Sequence, residues 1–238
     1  MQIEGRNPVT EALVAHSPII KLFVIDSPEK DSKLQNIIDL ANAAHIEIKF
    51  KSRKFLDKIA STKIHQGVIA FREERADMGF AKFIKSLEDS NTEPFIVYIR
   101  EAQNEYNVGS IIRSAEIVGA QAVILPPKTL LSPQMVRASM GASEHLQVIN
   151  ENLFNSIKIC HDNNIKVVGI EVSGDKYYYE ADLKGPMMLI IGGEDRSLSE
   201  EIKNKSDFFV KIPMKGKVNS LNMSIAASIV MFEKLRQS

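Results

Sequence analysis

The chain reads as an α/β protein whose C-terminal part is built on a parallel sheet. Two observations predict this. Short apolar runs of strand length alternate with helix-period segments along most of the sequence. Runs such as Phe95-Ile96-Val97-Tyr98-Ile99 are apolar without alternation, as strands buried on both faces are.

In the first 72 residues the apolar spacing gives a helix over 8–15, a strand over 20–25 and a helix over 33–44. A strand over 46–50, a helix over 54–59 and a strand over 67–71 complete a compact α/β unit. Residues 73–93 are charged and read as a linker that carries a short helix. A second unit then runs from Pro94 to the end, as domain 94–238. It begins with the strand 95–99, a helix over 108–118, a strand over 122–125 and a helix over 153–163. Strands over 167–171, 188–191 and 208–212, a helix over 199–205 and a final helix after Asn222 follow. Such βα alternation calls for a parallel sheet with helices on both faces. No G-x-G-x-x-G follows any strand, so the common dinucleotide fingerprint is absent.

The 238 residues hold 30 basic and 30 acidic side chains, so no global field steers the chain toward nucleic acid or membrane. A local patch at 49–58 interleaves Lys49, Lys51, Arg53, Lys54 and Lys58 with Phe50 and Phe55, which suits either an RNA contact or a solvated face. The single cysteine, Cys160, excludes an internal disulfide and a cysteine-rich zinc site; its apolar surroundings point to a buried thiol. The N-terminus has early acid and proline and no apolar signal region, and no run approaches membrane-spanning length. A cytoplasmic protein without membrane or metal partners is expected.

Three segments carry candidate chemistry. In Asn107-Val108-Gly109-Ser110-Ile111-Ile112-Arg113 the apolar stripe leaves Arg113 off the buried face. There it suits either a phosphate held with the free N–H groups at the helix start or a surface pair with Glu116. In Ile191-Gly192-Gly193-Glu194 a buried strand opens into two glycines and an acid, at the strand end where open α/β sheets bind ligands. A plain turn capped by Ser199 explains most of that segment too. In Ile212 to Asn222 a glycine loop with Lys215 and Lys217 runs through Ser220-Leu221-Asn222 into an apolar helix, and the polar residues supply caps.

Together these segments, in this order, resemble the motifs of the SpoU (TrmH-type) branch of the SPOUT RNA methyltransferases. The resemblance rests on N-x-G-x-x-x-R at Asn107, Gly109 and Arg113; G-x-E at Gly192 and Glu194; and I-P-x-x-G with S-L-N at Ile212, Pro213, Gly216 and Ser220 to Asn222. The first 72 residues are similar to the family's ribosomal-protein-L30e-like RNA-binding domain, with IEGRNPVTEAL near the start and His65-Gln66-Gly67-Val68 near the end. The resemblance implies a SPOUT-type parallel sheet with a C-terminal deep trefoil knot, an exception to unthreaded folding. It implies transfer of a methyl group from S-adenosyl-L-methionine to a ribose 2′-hydroxyl, by a homodimer acting on RNA, with rRNA favoured over tRNA. Gly192, Ile212 and Leu221 would bind the cofactor, and Asn107, Arg113, Glu194, Ser220 and Asn222 would form the RNA and catalytic site. Asp195 and Ser197 stand where the family usually has glycine, which leaves a non-catalytic RNA-binding relative as the alternative from another class.

Overall fold

A four-stranded sheet organises the first unit, Met1–Ala76 together with Leu131–His145. The computed structural model describes residues 1–26, 31–75, 78–192, 199–218 and 220–238. Along the chain come β1 (Gln2–Glu4), α1 (Arg6–Val14), β2 (Ile19–Ile25), α2 (Ser32–Ala43), β3 (Ile48–Lys51), α3 (Arg53–Ile59) and β4 (Val68–Arg72). The order across the sheet is β1-β4-β2-β3, with only β2 and β3 parallel. Leu13 and Ala12 of α1 and Leu34, Ile37 and Ala41 of α2 close over Leu22, Val24, Val68 and Ala70 to make the core. Asp31 starts α2 by accepting the N–H groups of Lys33 and Leu34, as N-cap carboxylates do. Glu4 is fully buried, yet its carboxylate accepts from the N–H (2.9 Å) and hydroxyl (2.5 Å) of Thr62, so the acid is satisfied and pins that loop.

The second unit, Asp77–Leu130 with Leu146–Ser238, opens with α4 (Phe80–Asp89) and β5 (Phe95–Ile99). The segment read as a linker therefore includes a helix that buries Phe80, Phe83, Ile84 and Leu87 in this unit's core. Then come α5 (Glu105–Ile117), β6 (Ala122–Leu125) and α6 (Pro133–Ala138), which the sequence reading lacked. Although α6 follows β6, its Val136 sits in the first unit's core. The chain returns through β7 (Gln147–Asn150), α7 (Leu153–Asp162), β8 (Lys166–Ile170) and β9 (Lys176–Tyr177). It ends with β10 (Met187–Ile191), α8 (Glu200–Lys205), β11 (Phe208–Lys211) and α9 (Met223–Gln237).

These seven strands are all parallel, in the order β7-β6-β5-β10-β8-β11-β9. The apolar runs FIVYI and MMLII become the adjacent central strands β5 and β10, buried at every position. Strand side chains alternate between faces. Ile96, Tyr98, Ile124, Met188 and Ile190 meet α4 and α7 on one face. The alternate residues Val97, Ile99, Val123, Leu189 and Ile191 are buried on the other, where α5 and α9 pack side by side. Cys160 lies in the first of these layers, 3.7 Å from the Met188 sulfur, and burial pushes its thiol up to about 12.

Candidate functional site

Asn107, Gly192, Ile212 and Ser220 to Asn222 lie in the segments that follow the carboxyl ends of β5, β10 and β11, the edge where open parallel sheets hold ligands. Strand β5 ends at Ile99 and the chain enters α5 through Asn104, whose side chain accepts the Asn107 N–H at 3.2 Å. This cap starts the helix three residues before the apolar periodicity does. Asn107 is consequently a buried first-turn residue rather than a loop residue. Arg113 becomes the ninth residue of α5. At 1.5 Å per residue it stands about 12 Å along the axis from the helix start. The expected joint grip of Arg113 and the free N–H groups on one phosphate is corrected accordingly. The surface pair with Glu116 is not formed either: Arg113 is exposed and makes no hydrogen bond or ion pair among the described residues.

Strand β10 ends at Ile191, whose carbonyl accepts the Arg100 N–H at 3.1 Å, and the half-buried Gly192 follows directly. Glu194, Asp195 and Ser197 lie outside the described residues. Two strands along, β11 hands over to Ile212, also half-buried, and the chain stays exposed from Pro213 to Val218. The N–H groups of Met214 to Val218, Ser220 and Leu221 have no partner among the described residues. Ser220 and Leu221 are exposed.

Asn222 closes the segment and joins two of the three motifs. Its Oδ1 caps α9 by accepting from the Ser224 N–H (2.9 Å) and Ile225 N–H (3.3 Å). Its Nδ2 donates to Asn107 Oδ1 at 3.0 Å, across 115 residues of sequence. Below this pair, Ser228 donates its hydroxyl proton to the Ser224 carbonyl at 2.7 Å. Its 2.9 Å contact with the Ser114 hydroxyl is therefore donated by Ser114. Asn104, Ser114, Ser224 and Ser228 were missed in the sequence. Only Asn104 had a signal, a cap-type residue just ahead of a helical run.

The outer surfaces of α5 and α9 carry several exposed apolar side chains. Tyr106, Arg113 and Ile117 fall on one stripe of α5, since spacings of seven and eleven residues return to the same face. Tyr106 is 57% and Ile117 55% exposed; on α9, Ile225, Phe232 and Leu235 are also open to solvent. In the first unit, the 49–58 patch occupies edge strand β3 and α3. Lys49 reaches Glu47 and Lys51 lies over the Phe55 ring, while Arg53, Lys54 and Lys58 are exposed without carboxylate partners among the described residues. Among the described residues no helix is long and apolar enough to cross a membrane, and no group of three or more His, Cys, Asp or Glu side chains converges as for a metal ion.

Two family profiles match: the SpoU rRNA Methylase family over residues 94–232, and RNA 2′-O ribose methyltransferase substrate binding over residues 2–77. Among curated relatives, a Bacillus subtilis protein named as a TrmH family tRNA/rRNA methyltransferase, YacO, is 34% identical over 98% of this chain and 94% of its own. The structure of a TrmH-family RNA methyltransferase from Porphyromonas gingivalis superposes with a TM-score of 0.76 at 25% identity, covering 100% of this chain and 90% of that one. The SpoU methyltransferase AviRb from Streptomyces viridochromogenes, solved with AdoMet, shares the fold with a TM-score of 0.79 at 24% identity, over 100% and 89% of the two chains.

Proposed function

Because the chain belongs to the SpoU rRNA methylase family, we propose that it methylates a ribose 2′-hydroxyl of RNA with S-adenosyl-L-methionine, ribosomal RNA being favoured over transfer RNA. The observation that carries the reading is the Asn222–Asn107 hydrogen bond, which ties the first and third motifs together at the ligand edge of the sheet.

The residues present fit the cofactor. Met214 to Val218, Ser220 and Leu221 offer backbone N–H groups without partners among the described residues, and Gly192 presents bare backbone at the end of β10. Gly192, Ile212 and Leu221 would hold it, largely through main-chain groups. Bound there, it supplies a methyl group on a sulfonium, an already activated leaving group. What this chain must add is alignment and exclusion of water. Asn107 and Asn222 fix the entrances of α5 and α9 by holding each other, with Ser220 beside them in sequence. Arg113, without an ion pair among the described residues, orients the ribose through a neighbouring phosphate by a two-pronged grip. A guanidinium resists deprotonation, so we do not assign Arg113 the task of taking the hydroxyl proton. Glu194 completes the proposed set.

The same proposal takes residues 1–72 as an L30e-like RNA-binding domain, 73–93 as the connection and 94–238 as the methyltransferase domain, with its C-terminal segments threaded as a trefoil knot. The placing of β10 between β5 and the earlier β8 is compatible with such threading. It also takes the working form as a cytoplasmic homodimer. Support comes from the exposed apolar surface of α5 and α9, with Arg113 on the same stripe as Tyr106 and Ile117, because a second copy would cover that surface. Calorimetric titration with S-adenosyl-L-methionine, together with sedimentation, tests both parts. Cofactor binding by a dimer is expected. Absence of cofactor binding would overturn the enzymatic reading in favour of a non-catalytic RNA-binding relative.

A further inference from the structure

Beyond β11, the outermost strand of the seven-stranded sheet carries Lys176 and Tyr177 and runs on into Tyr178 and Tyr179. The chain reaches this edge over Gly174, where an added Cβ would lie 2.6 Å from the Val210 carbonyl carbon, so the close approach to β11 requires glycine. Asp175 then fastens the segment. Its N–H donates to the Phe209 carbonyl at 2.9 Å and its Oδ2 accepts the Phe209 N–H at 3.0 Å. The Tyr178 N–H donates to the Lys211 carbonyl at 3.0 Å, and the Glu180 N–H to the Tyr177 carbonyl at 2.9 Å. Tyr177 is thereby held level with Lys211, the last residue of β11, immediately before Ile212.

On this fixed backbone the Tyr177 and Tyr179 rings lie parallel, 4° apart with centroids at 5.5 Å, and Tyr178 meets Tyr179 edge-on at 5.1 Å. Lys211 Nζ sits 5.0 Å from the Tyr177 centroid. Tyr177 remains 36% and Tyr179 48% exposed. Neither Lys176 nor Lys211 has a carboxylate partner among the described residues, while the exposed Glu180 follows the tyrosines. Parallel aromatic faces beside cations that lack a carboxylate partner among the described residues match a ligand that has both a flat π-face and a negative backbone. An unpaired nucleotide has both, whereas a duplex keeps its base faces stacked inside.

We propose that Tyr177, Tyr179 and Lys211 form a stacking platform for an unpaired base of the RNA substrate, beside the nucleotide that is methylated. This rests on the RNA methyl-transfer reading above and adds to it that the target region is single-stranded. The test measures fluorescence anisotropy of the full chain with labelled 12-nucleotide single-stranded oligoadenylate, oligouridylate and a 12-base-pair RNA duplex. Wild type should prefer the single strands, and adenine over uracil because the larger base stacks over more area. A Tyr177→Ala/Tyr179→Ala double variant should lose about fivefold to a hundredfold in single-strand affinity. The Tyr177→Phe/Tyr179→Phe pair should keep it. Lys211→Ala should weaken binding and flatten its salt dependence. Unchanged oligoadenylate affinity in the alanine pair, or no single-strand binding by wild type, overturns the platform. Calorimetry with S-adenosyl-L-methionine on the same samples separates the two ideas. If wild type binds cofactor and transfers methyl while the alanine pair binds RNA normally, only the platform fails. If wild type binds no cofactor, the underlying function fails instead.

Discussion

Replacing Asn222 with alanine removes two separable contributions. The first is the cap on α9, where Oδ1 accepts the N–H groups of Ser224 and Ile225; losing such a cap costs about 1 kcal/mol. The second is the 3.0 Å bond to Asn107, a buried residue whose carbonyl oxygen loses this donor, at about 1–3 kcal/mol. Asn222→Ala should therefore destabilise the chain by about 2–4 kcal/mol, a fall in thermal midpoint of roughly 4–16 °C for a protein of this size. Asn222→Asp keeps the cap oxygen and adds a charge favourable to the helix start, but has no donor for Asn107. Its loss should be confined to the second contribution, about 1–3 kcal/mol. Scanning calorimetry and urea unfolding read both values. An Asn107→Ala/Asn222→Ala cycle isolates their coupling. If both Asn222 variants stay within about 0.5 kcal/mol of wild type, the ordinary range for a surface change, the pair does not hold the motifs together.

Other perturbations address the chemistry and the packing. Arg113→Ala should abolish methyl transfer while leaving cofactor affinity and the dimer intact, and Arg113→Lys should also fail substantially, because an ammonium lacks the planar fork. Single-turnover transfer of a labelled methyl group decides this, and near-normal transfer would return Arg113 to an ordinary surface role. Cys160, with its thiol raised to about 12 by burial, should react with a disulfide reagent at pH 8 only as fast as the chain opens. The raised value also means that its contribution to stability is intact below the unfolded value of about 8.5 and is lost as pH climbs toward 12. Glu233 is held down at about 2 by hydrogen bonds from Arg236 and Gln237. Its contribution is present above the unfolded value of about 4.3 and is lost as pH falls toward 2; Glu233→Gln should remove that part of the acid dependence in circular-dichroism melts.

The central strands were legible in the sequence because burial on both faces leaves no polar residue to blur them: 95–99 and 122–125 have the predicted bounds. Three of the four edge strands were not. β1, β7 and β9 have four residues or fewer, too short for a period to register. α6 did carry a local signal, Ser132 capping ahead of Pro133 in the first turn, but its six residues show too little periodicity. Its membership in the first unit depends on contacts far along the chain. Val136 joins the core of α1 and α2, and Glu144 accepts from Ser17 at 2.6 Å and Arg72 at 3.3 Å. At the site, residue types at strand ends were readable, whereas the partnership of Asn107 with Asn222 was not. Nothing local in either segment encodes a contact made only when α5 and α9 pack together.

The most direct measurement incubates the full chain with labelled S-adenosyl-L-methionine and either ribosomal or transfer RNA, then digests the RNA to nucleosides. The account predicts label in a 2′-O-methylnucleoside, with ribosomal RNA the better acceptor. Label on a base, or none in either RNA while the cofactor binds, would contradict it.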